Sequence, residues 1–149
     1  MENNFKFKQF IIITLITSAW IHIGETSRAA LVAFPRIAAF FEGKLQVIGL
    51  EQAQASHALI WVAWDTLLTA VLVFMFWLCA KAFGNNLKAI LISGTVTSFA
   101  TLGIFWIATV NTGLGEWSTA FIIFPIAWAE LVIGAWIASR LYASGRWAA

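Results

Sequence analysis

Four long apolar runs alternate with short polar segments along the chain. The runs cover roughly residues 10–33, 56–80, 87–110 and 117–139. An α-helix rises about 1.5 Å per residue, so about 20 apolar residues are enough to cross the hydrocarbon core of a bilayer. The pattern therefore predicts an all-α integral membrane protein with four spanning helices.

Turn-forming and helix-breaking residues follow three of these runs: Pro35 after the first, Gly84-Asn85-Asn86 after the second and Asn111-Thr112-Gly113 after the third. The residue before a proline is disfavoured in a helix, so we expect the first helix to end near residue 33. Residues 36–55 should form a loop, in which residues 37–41 begin a short interfacial helix. The other connections are short and favour antiparallel neighbours. The expected fold is an antiparallel four-helix bundle, with residues 1–149 forming a single transmembrane domain.

Composition supports this membrane assignment. Hydrophobic residues make up 61% of the chain, charged residues only 11%, and the mean hydropathy is +0.85. Soluble domains have about 25% charged residues, so the chain is far from that class and has no length left for a soluble catalytic domain. The basic residues occur singly rather than in runs, which argues against nucleic acid as a partner. Cys79 is the single cysteine and excludes an internal disulfide.

Basic residues are distributed unequally between the two sides of the predicted bundle. The N-terminus, the second connection and the C-terminus carry Lys6, Lys8, Lys81, Lys88, Arg140 and Arg146, whereas the first connection carries Arg36 and Lys44. The positive-inside rule therefore predicts that both termini are cytoplasmic, and we expect a bacterial cytoplasmic (inner) membrane. A lysine-flanked apolar start also resembles a signal peptide, but the apolar pattern resumes after Arg28. Trp20 and Trp128 lie near mid-span, where an interfacial tryptophan belt does not explain them.

Five ionisable residues lie inside the otherwise apolar runs: His22, Glu25, Arg28, Asp65 and Glu130. A charge near the bilayer centre costs about 2.5–3.5 kcal/mol on insertion scales, so such residues mark a candidate functional site. At the helical rise, His22 and Glu130 lie about 18 Å into their spans, near the midplane. Glu25 and Asp65 lie further toward the outer side, and Arg28 is nearer the outer boundary.

Polar residues recur every three or four positions in three of the runs: Thr14, Ser18, His22 and Glu25 in the first, His57, Trp61, Asp65 and Thr69 in the second, and Ser93, Thr97 and Thr101 in the third. This spacing places each set on one helix face, which we expect to point into the bundle rather than toward lipid. Glu25 and Arg28 can pair on their own helix, whereas Asp65 and Glu130 have no basic neighbour in theirs. At least one acid must find a partner on another helix or bind a proton.

The predicted proton- or ligand-binding residues are Glu25, Asp65 and Glu130, with His22 beside them, Arg28 as the counter-charge and Trp61 as an aromatic wall. A purely structural role competes with this interpretation. Buried hydroxyls also form interhelical hydrogen bonds, worth about 0.6 kcal/mol each on average. Arg28 can also extend to the outer headgroups, and His57 can be a simple interfacial residue. Pro125 can kink the fourth helix near Glu130.

No cofactor or metal is predicted. His22 and Glu25 have the spacing of two ligands, but the paired Glu-x-x-His pattern of di-metal bundles is missing. The depths of His22 and His57 differ by about 12 Å, which disfavours a haem held by both. Phosphate-loop, dinucleotide and hydrolase motifs are also missing from the sequence.

Three functions fit these features. The first is a small transporter-like protein that binds or moves a proton, cation or small ligand; it would need a homodimer or larger complex, for which Gly134-x-x-x-Ala138 offers a packing face. The second is a non-catalytic accessory or assembly subunit, in which the polar residues fix helix register. The third is an intramembrane enzyme acting on a lipid-like substrate, with His22 or Glu130 moving protons. The sequence predicts no catalytic residue outright.

Overall fold

A computed structural model describes residues 5–45 and 54–145, and these two ranges are helical without strands. The helices are α1 (Phe7–Arg28), α2 (Phe34–Phe41), α3 (Ala55–Phe83), α4 (Leu87–Ser98), α5 (Ile104–Asn111) and α6 (Trp117–Ala143). Two π-helical segments, Ala29–Ala33 and Phe99–Gly103, join α1 to α2 and α4 to α5. The described chain thus has four helices long and apolar enough to cross a membrane: Phe7–Phe41, Ala55–Phe83, Leu87–Asn111 and Trp117–Ala143, here called the first to fourth spans. The prediction of an all-α, multi-pass membrane protein is confirmed.

The first span corrects one predicted boundary, because Pro35 does not end the helix. The helix continues to Phe41, and the expected separate interfacial helix is its last two turns. Pro35 follows the π segment Ala29–Ala33 closely and occupies the first turn of α2. A proline is tolerated there because the wider π turn, in which the Phe34 N–H donates to the Ala29 carbonyl, gives the proline ring room.

The connection between the second and third spans ends one helix and starts the next within three residues. Gly84 stops α3 with a φ of +82°, a conformation that favours glycine. The Asn86 side chain then accepts a hydrogen bond from the Ala89 N–H at 3.2 Å and caps α4. Asn85 and Ser139 tie this connection to α6, since the Ser139 hydroxyl donates to Asn85 Oδ1 at 2.6 Å and the Asn85 amide donates to the Ser139 carbonyl at 3.1 Å.

The four spans enclose one main core. α1 packs against α3 and α6, α4 packs against the same two helices, and α1 and α4 lie diagonally opposite each other. The largest buried apolar side chains on these helices are Ile21, Leu72, Phe76, Ile123 and Leu131. Glycine lets the helices approach closely: a Cβ on Gly134 would lie 2.9 Å from Leu72 and 3.1 Å from Ile21. The Gly134-x-x-x-Ala138 face therefore packs inside the chain and is not free to form the predicted dimer contact.

A second, smaller core lies where α2 approaches α5 and the start of α6, a region we call the α2 end of the bundle. It contains Ala33, Trp106, Ala120 and Ile123. Residues 55–64 of α3 do not join this core, since all of them except the half-buried His57 are exposed. Along the first span, His22, Glu25 and Arg28 lie between Ile21 of the main core and Ala33 of the second core.

Candidate functional site

Arg28 lies between two carboxyl groups in the bundle interior. Its guanidinium forms an ion pair with Glu25, three residues earlier on α1, and its Nε donates to Glu130 Oε2 on α6 at 3.2 Å. Each of the three side chains is close to nine-tenths buried. The i, i+3 spacing places Glu25 and Arg28 on neighbouring positions of one face, and Arg28 is the last residue before the π segment. One guanidinium therefore joins the first span to the fourth.

Two residues that the sequence analysis did not assign to the site hold Glu130 in place. The Trp20 indole N–H donates to the Glu130 backbone carbonyl at 3.0 Å, which explains a tryptophan near mid-span. Gly24 faces the acid side chain, and a Cβ there would lie 3.2 Å from both Cγ and Cδ of Glu130. Any other residue at this position would therefore push the carboxyl group away from α1. The mid-span position of Trp20 was the one available sequence signal.

His22 and Asp65 form the second pair of the site and join α1 to α3. The His22 Nδ1 atom lies 2.9 Å from Asp65 Oδ2. The Asp65 side chain is buried, whereas 29% of the His22 side chain is exposed. The Thr69 hydroxyl donates to the Asp65 backbone carbonyl at 2.7 Å, within α3. Asp65 Oδ1 is buried and has no hydrogen-bond partner among the described residues.

The Glu25–Arg28–Glu130 group and the His22–Asp65 pair belong to one electrostatic cluster. Asp65 lies within Coulombic range of Glu25 and Arg28, and Glu130 within range of Glu25. We call His22, Glu25, Arg28, Asp65 and Glu130 the acidic cluster. When ionised, three carboxylates face one guanidinium, which leaves two negative charges in excess, or one if His22 is an imidazolium. An uncompensated charge in a low-dielectric interior is unfavourable, so the cluster has capacity for a proton or another cation.

Trp61 is placed differently from the other predicted site residues. It is 50% exposed, and its ring packs edge-on against Trp64, which in turn contacts Phe105 of α5. In the described part of the chain, no polar contact joins Trp61 to the acidic cluster one helical turn away. His57 is also separate, because its Nδ1 accepts the Gln54 backbone N–H at 3.0 Å and so caps the start of α3.

Three of the hydroxyls on the predicted polar faces bond within their own span rather than between helices. Thr69, Ser93 and Thr101 each donate to a carbonyl three or four residues earlier on their own helix. A side-chain bond between α4 and α6 comes instead from Trp128, whose indole N–H donates to Thr95 Oγ1 at 3.0 Å. The mid-span tryptophans Trp20 and Trp128 thus both bind groups on a neighbouring helix.

Residues 5–45 and 54–145 contain no group of three or more His, Cys, Asp or Glu side chains arranged to hold a metal ion. In the acidic cluster, the place between Glu25 and Glu130 is taken by the Arg28 guanidinium. The site is therefore a carboxyl–guanidinium–imidazole cluster. No protein-family model, no characterised protein and no solved structure matches this chain.

Proposed function

We propose that this chain is a small transporter-like protein of a bacterial cytoplasmic membrane, whose acidic cluster binds and releases a proton within the bilayer. In this proposal the spans are antiparallel, both termini are cytoplasmic, and the cluster lies toward the outer leaflet. The observation that carries the proposal is a set of three carboxyl groups inside apolar spans, of which Glu25 and Glu130 contact one guanidinium and Asp65 contacts His22. Such a group is expensive in a membrane and is characteristic of proton relays.

A proton fits the cluster better than a larger cation. Arg28 already supplies the permanent positive charge between Glu25 and Glu130, and its planar group is suited to two carboxylates at once. Each bound proton compensates one of the two excess negative charges and needs no rearrangement of the helices. Asp65 Oδ1 offers a buried acceptor without a protein partner in the described chain.

His22 is the residue through which we propose that protons enter and leave the acidic cluster. It is the most exposed member of the cluster, and it contacts Asp65 directly. Histidine changes charge near neutral pH more readily than any other side chain. The partner of His22, Asp65, directly follows residues 55–64 of α3, which are exposed except for the half-buried His57. On entry, a proton binds His22 Nε2 and the Nδ1 proton passes to Asp65 Oδ2, so that His22 stays neutral and the Asp65 carboxyl group becomes neutral.

An accessory or assembly subunit is the second candidate. The observation in its favour is that Arg28 pairs with Glu25 and Glu130 and that His22 contacts Asp65. These contacts already link the first span to the second and fourth spans. In that case the polar residues fix helix register, and the exposed part of α3 meets a partner's helices. Loss of folding or assembly in the Asp65→Asn and Glu130→Gln variants would favour this function.

Proton binding can be tested in liposomes that contain the purified protein. Infrared difference spectra between acidic and neutral pH should show a protonated carboxyl band, and a pH-sensitive dye inside the vesicles should report proton uptake. We expect Asp65→Asn and Glu130→Gln to remove part of the band and to reduce uptake strongly. Glu42→Gln is the matched control, because Glu42 is exposed beyond the first span. Folded variants that keep the parent band and uptake would refute the proposal.

A further inference from the structure

Three buried threonine hydroxyls lie in the bundle without a partner among the described residues: Thr14 and Thr17 on α1, and Thr97 on α4. Thr17 is 0% exposed and Thr97 is 1% exposed. Neighbouring hydroxyls behave differently, since Ser18 donates to the Leu15 carbonyl at 2.8 Å and Ser98 to the Gly94 carbonyl at 2.7 Å. Leaving a buried hydroxyl unbonded is unfavourable, so each of the three threonines needs a partner that residues 5–45 and 54–145 do not provide.

The two α1 hydroxyls lie along the helix between His22 of the acidic cluster and the opposite end of the bundle. Thr17 precedes His22 on α1 by about 8 Å of helical rise, and Thr14 lies one turn earlier. Thr97 lies on α4, diagonally across from α1, so that Thr17 and Thr97 both face the bundle interior. Before Thr14, the α1 residues Gln9 and Ile13 line a cavity of about 250 Å³.

We infer that Thr14, Thr17, Thr97 and Asp65 Oδ1 bind internal water molecules, and that these waters form a proton route between the acidic cluster and the cavity near Gln9. Buried waters typically make about three hydrogen bonds to polar groups that otherwise have no partner. A water-linked hydroxyl both donates and accepts, so it can relay a proton without being ionised itself. Ile13 and Phe76 line the cavity and are also buried in the core, so the cavity reaches the bundle interior at these residues.

Thr17→Val and Thr97→Val test this inference, because valine keeps the shape of threonine and removes only the hydroxyl. Thr101→Val is the matched control, since the Thr101 hydroxyl donates to the Thr97 carbonyl at 2.7 Å within the same span. We expect the first two variants to lose the infrared signal of weakly bonded internal water and to slow proton uptake severalfold. The control should retain both properties.

The role of the route rests on the proposed proton-binding function, but the water sites can be tested without it. If Thr17→Val and Thr97→Val keep the parent water signal, or if they raise the thermal stability as removal of an unbonded hydroxyl would, the inference is wrong. In that case the Asp65→Asn and Glu130→Gln results still decide the proposed function. If those two variants leave proton uptake unchanged while the threonine variants lose the water signal, the water sites stand and the proton function fails.

Discussion

The Arg28 Nε atom lies 3.2 Å from Glu130 Oε2, and the same guanidinium pairs with Glu25. This contact places the end of α1 against the middle of α6. Breaking this buried ion pair should cost far more free energy than breaking an ion pair at the surface, because the remaining charge would have no partner in a low-dielectric interior. The cluster should therefore respond sharply to removal of its single guanidinium.

Arg28→Met should destabilise the bundle by about 3–5 kcal/mol, since it leaves Glu25 and Glu130 buried without a cation. Arg28→Lys should recover only part of this loss, because an ammonium lacks the planar fork that reaches two carboxylates. The measurement is reversible unfolding in mixed micelles, followed by circular dichroism. Arg36→Met provides the control, since Arg36 is exposed in α2.

The double variant Arg28→Met with Glu130→Gln separates pairing from simple loss of packing. If the two side chains interact as the structure indicates, the double variant should be less destabilised than the sum of the single variants. Additive effects would show that the contact does not contribute to stability.

The His22–Asp65 contact predicts a particular histidine tautomer. An ionised Asp65 can only accept a hydrogen bond, so His22 must carry its proton on Nδ1. His57 accepts a backbone N–H through Nδ1, so when neutral it must carry its proton on Nε2. Nitrogen NMR of histidine-labelled protein should therefore show two different ring states at neutral pH, assigned with a His57→Gln variant. A neutral His22 protonated on Nε2 would instead place the proton on Asp65.

Residue spacing predicts the contacts of the site within one helix, but not the contacts between helices. The four-residue period correctly predicted that Asp65 and Thr69 face the interior, but not that Trp61 on the same face is exposed. The three-residue spacing indicated the Glu25–Arg28 pair. The cross-helix partners depend on the relative depth and rotation of different spans, which periodicity within one span does not determine. The choice of His22 for Asp65, and of Arg28 for Glu130, therefore required the three-dimensional structure.

The sequence also predicts some helix ends correctly and others wrongly. Gly84 and the short connection after α3 were predictable because a positive φ and a capping asparagine have clear residue preferences. The π segment before Pro35 has no comparable signal, since Ala29–Ala33 consists of ordinary helix-compatible residues. The rule that helices end before a proline therefore predicts the wrong end for the first helix.

Glu116, outside the spans, should titrate at low pH. Hydrogen bonds from Ser118 and Thr119, the latter at 2.9 Å, hold the pKa of the Glu116 carboxyl below its ordinary value of 4.5. Because the folded-state pKa is the lower one, the resulting stabilisation is present above the unfolded pKa and is lost as pH falls through the folded pKa. Carbon NMR of labelled glutamate measures this titration. Thr119→Val should move the midpoint upward, and an unchanged midpoint would contradict the assigned cause.

A close approach between the third and fourth spans predicts different outcomes for two glycine substitutions. A Cβ on Gly94 would lie 2.8 Å from Val132 Cγ2 and 2.9 Å from Val132 Cα, so Gly94→Ala must force α4 away from α6 at a cost of about 1–3 kcal/mol. At Gly103 the nearest atom would be Phe124 Cε2 at 3.5 Å, an ordinary contact, so Gly103→Ala should change stability by at most about 0.5 kcal/mol. Unfolding in mixed micelles compares the two variants. Equal effects would show that α4 and α6 are not held at this distance.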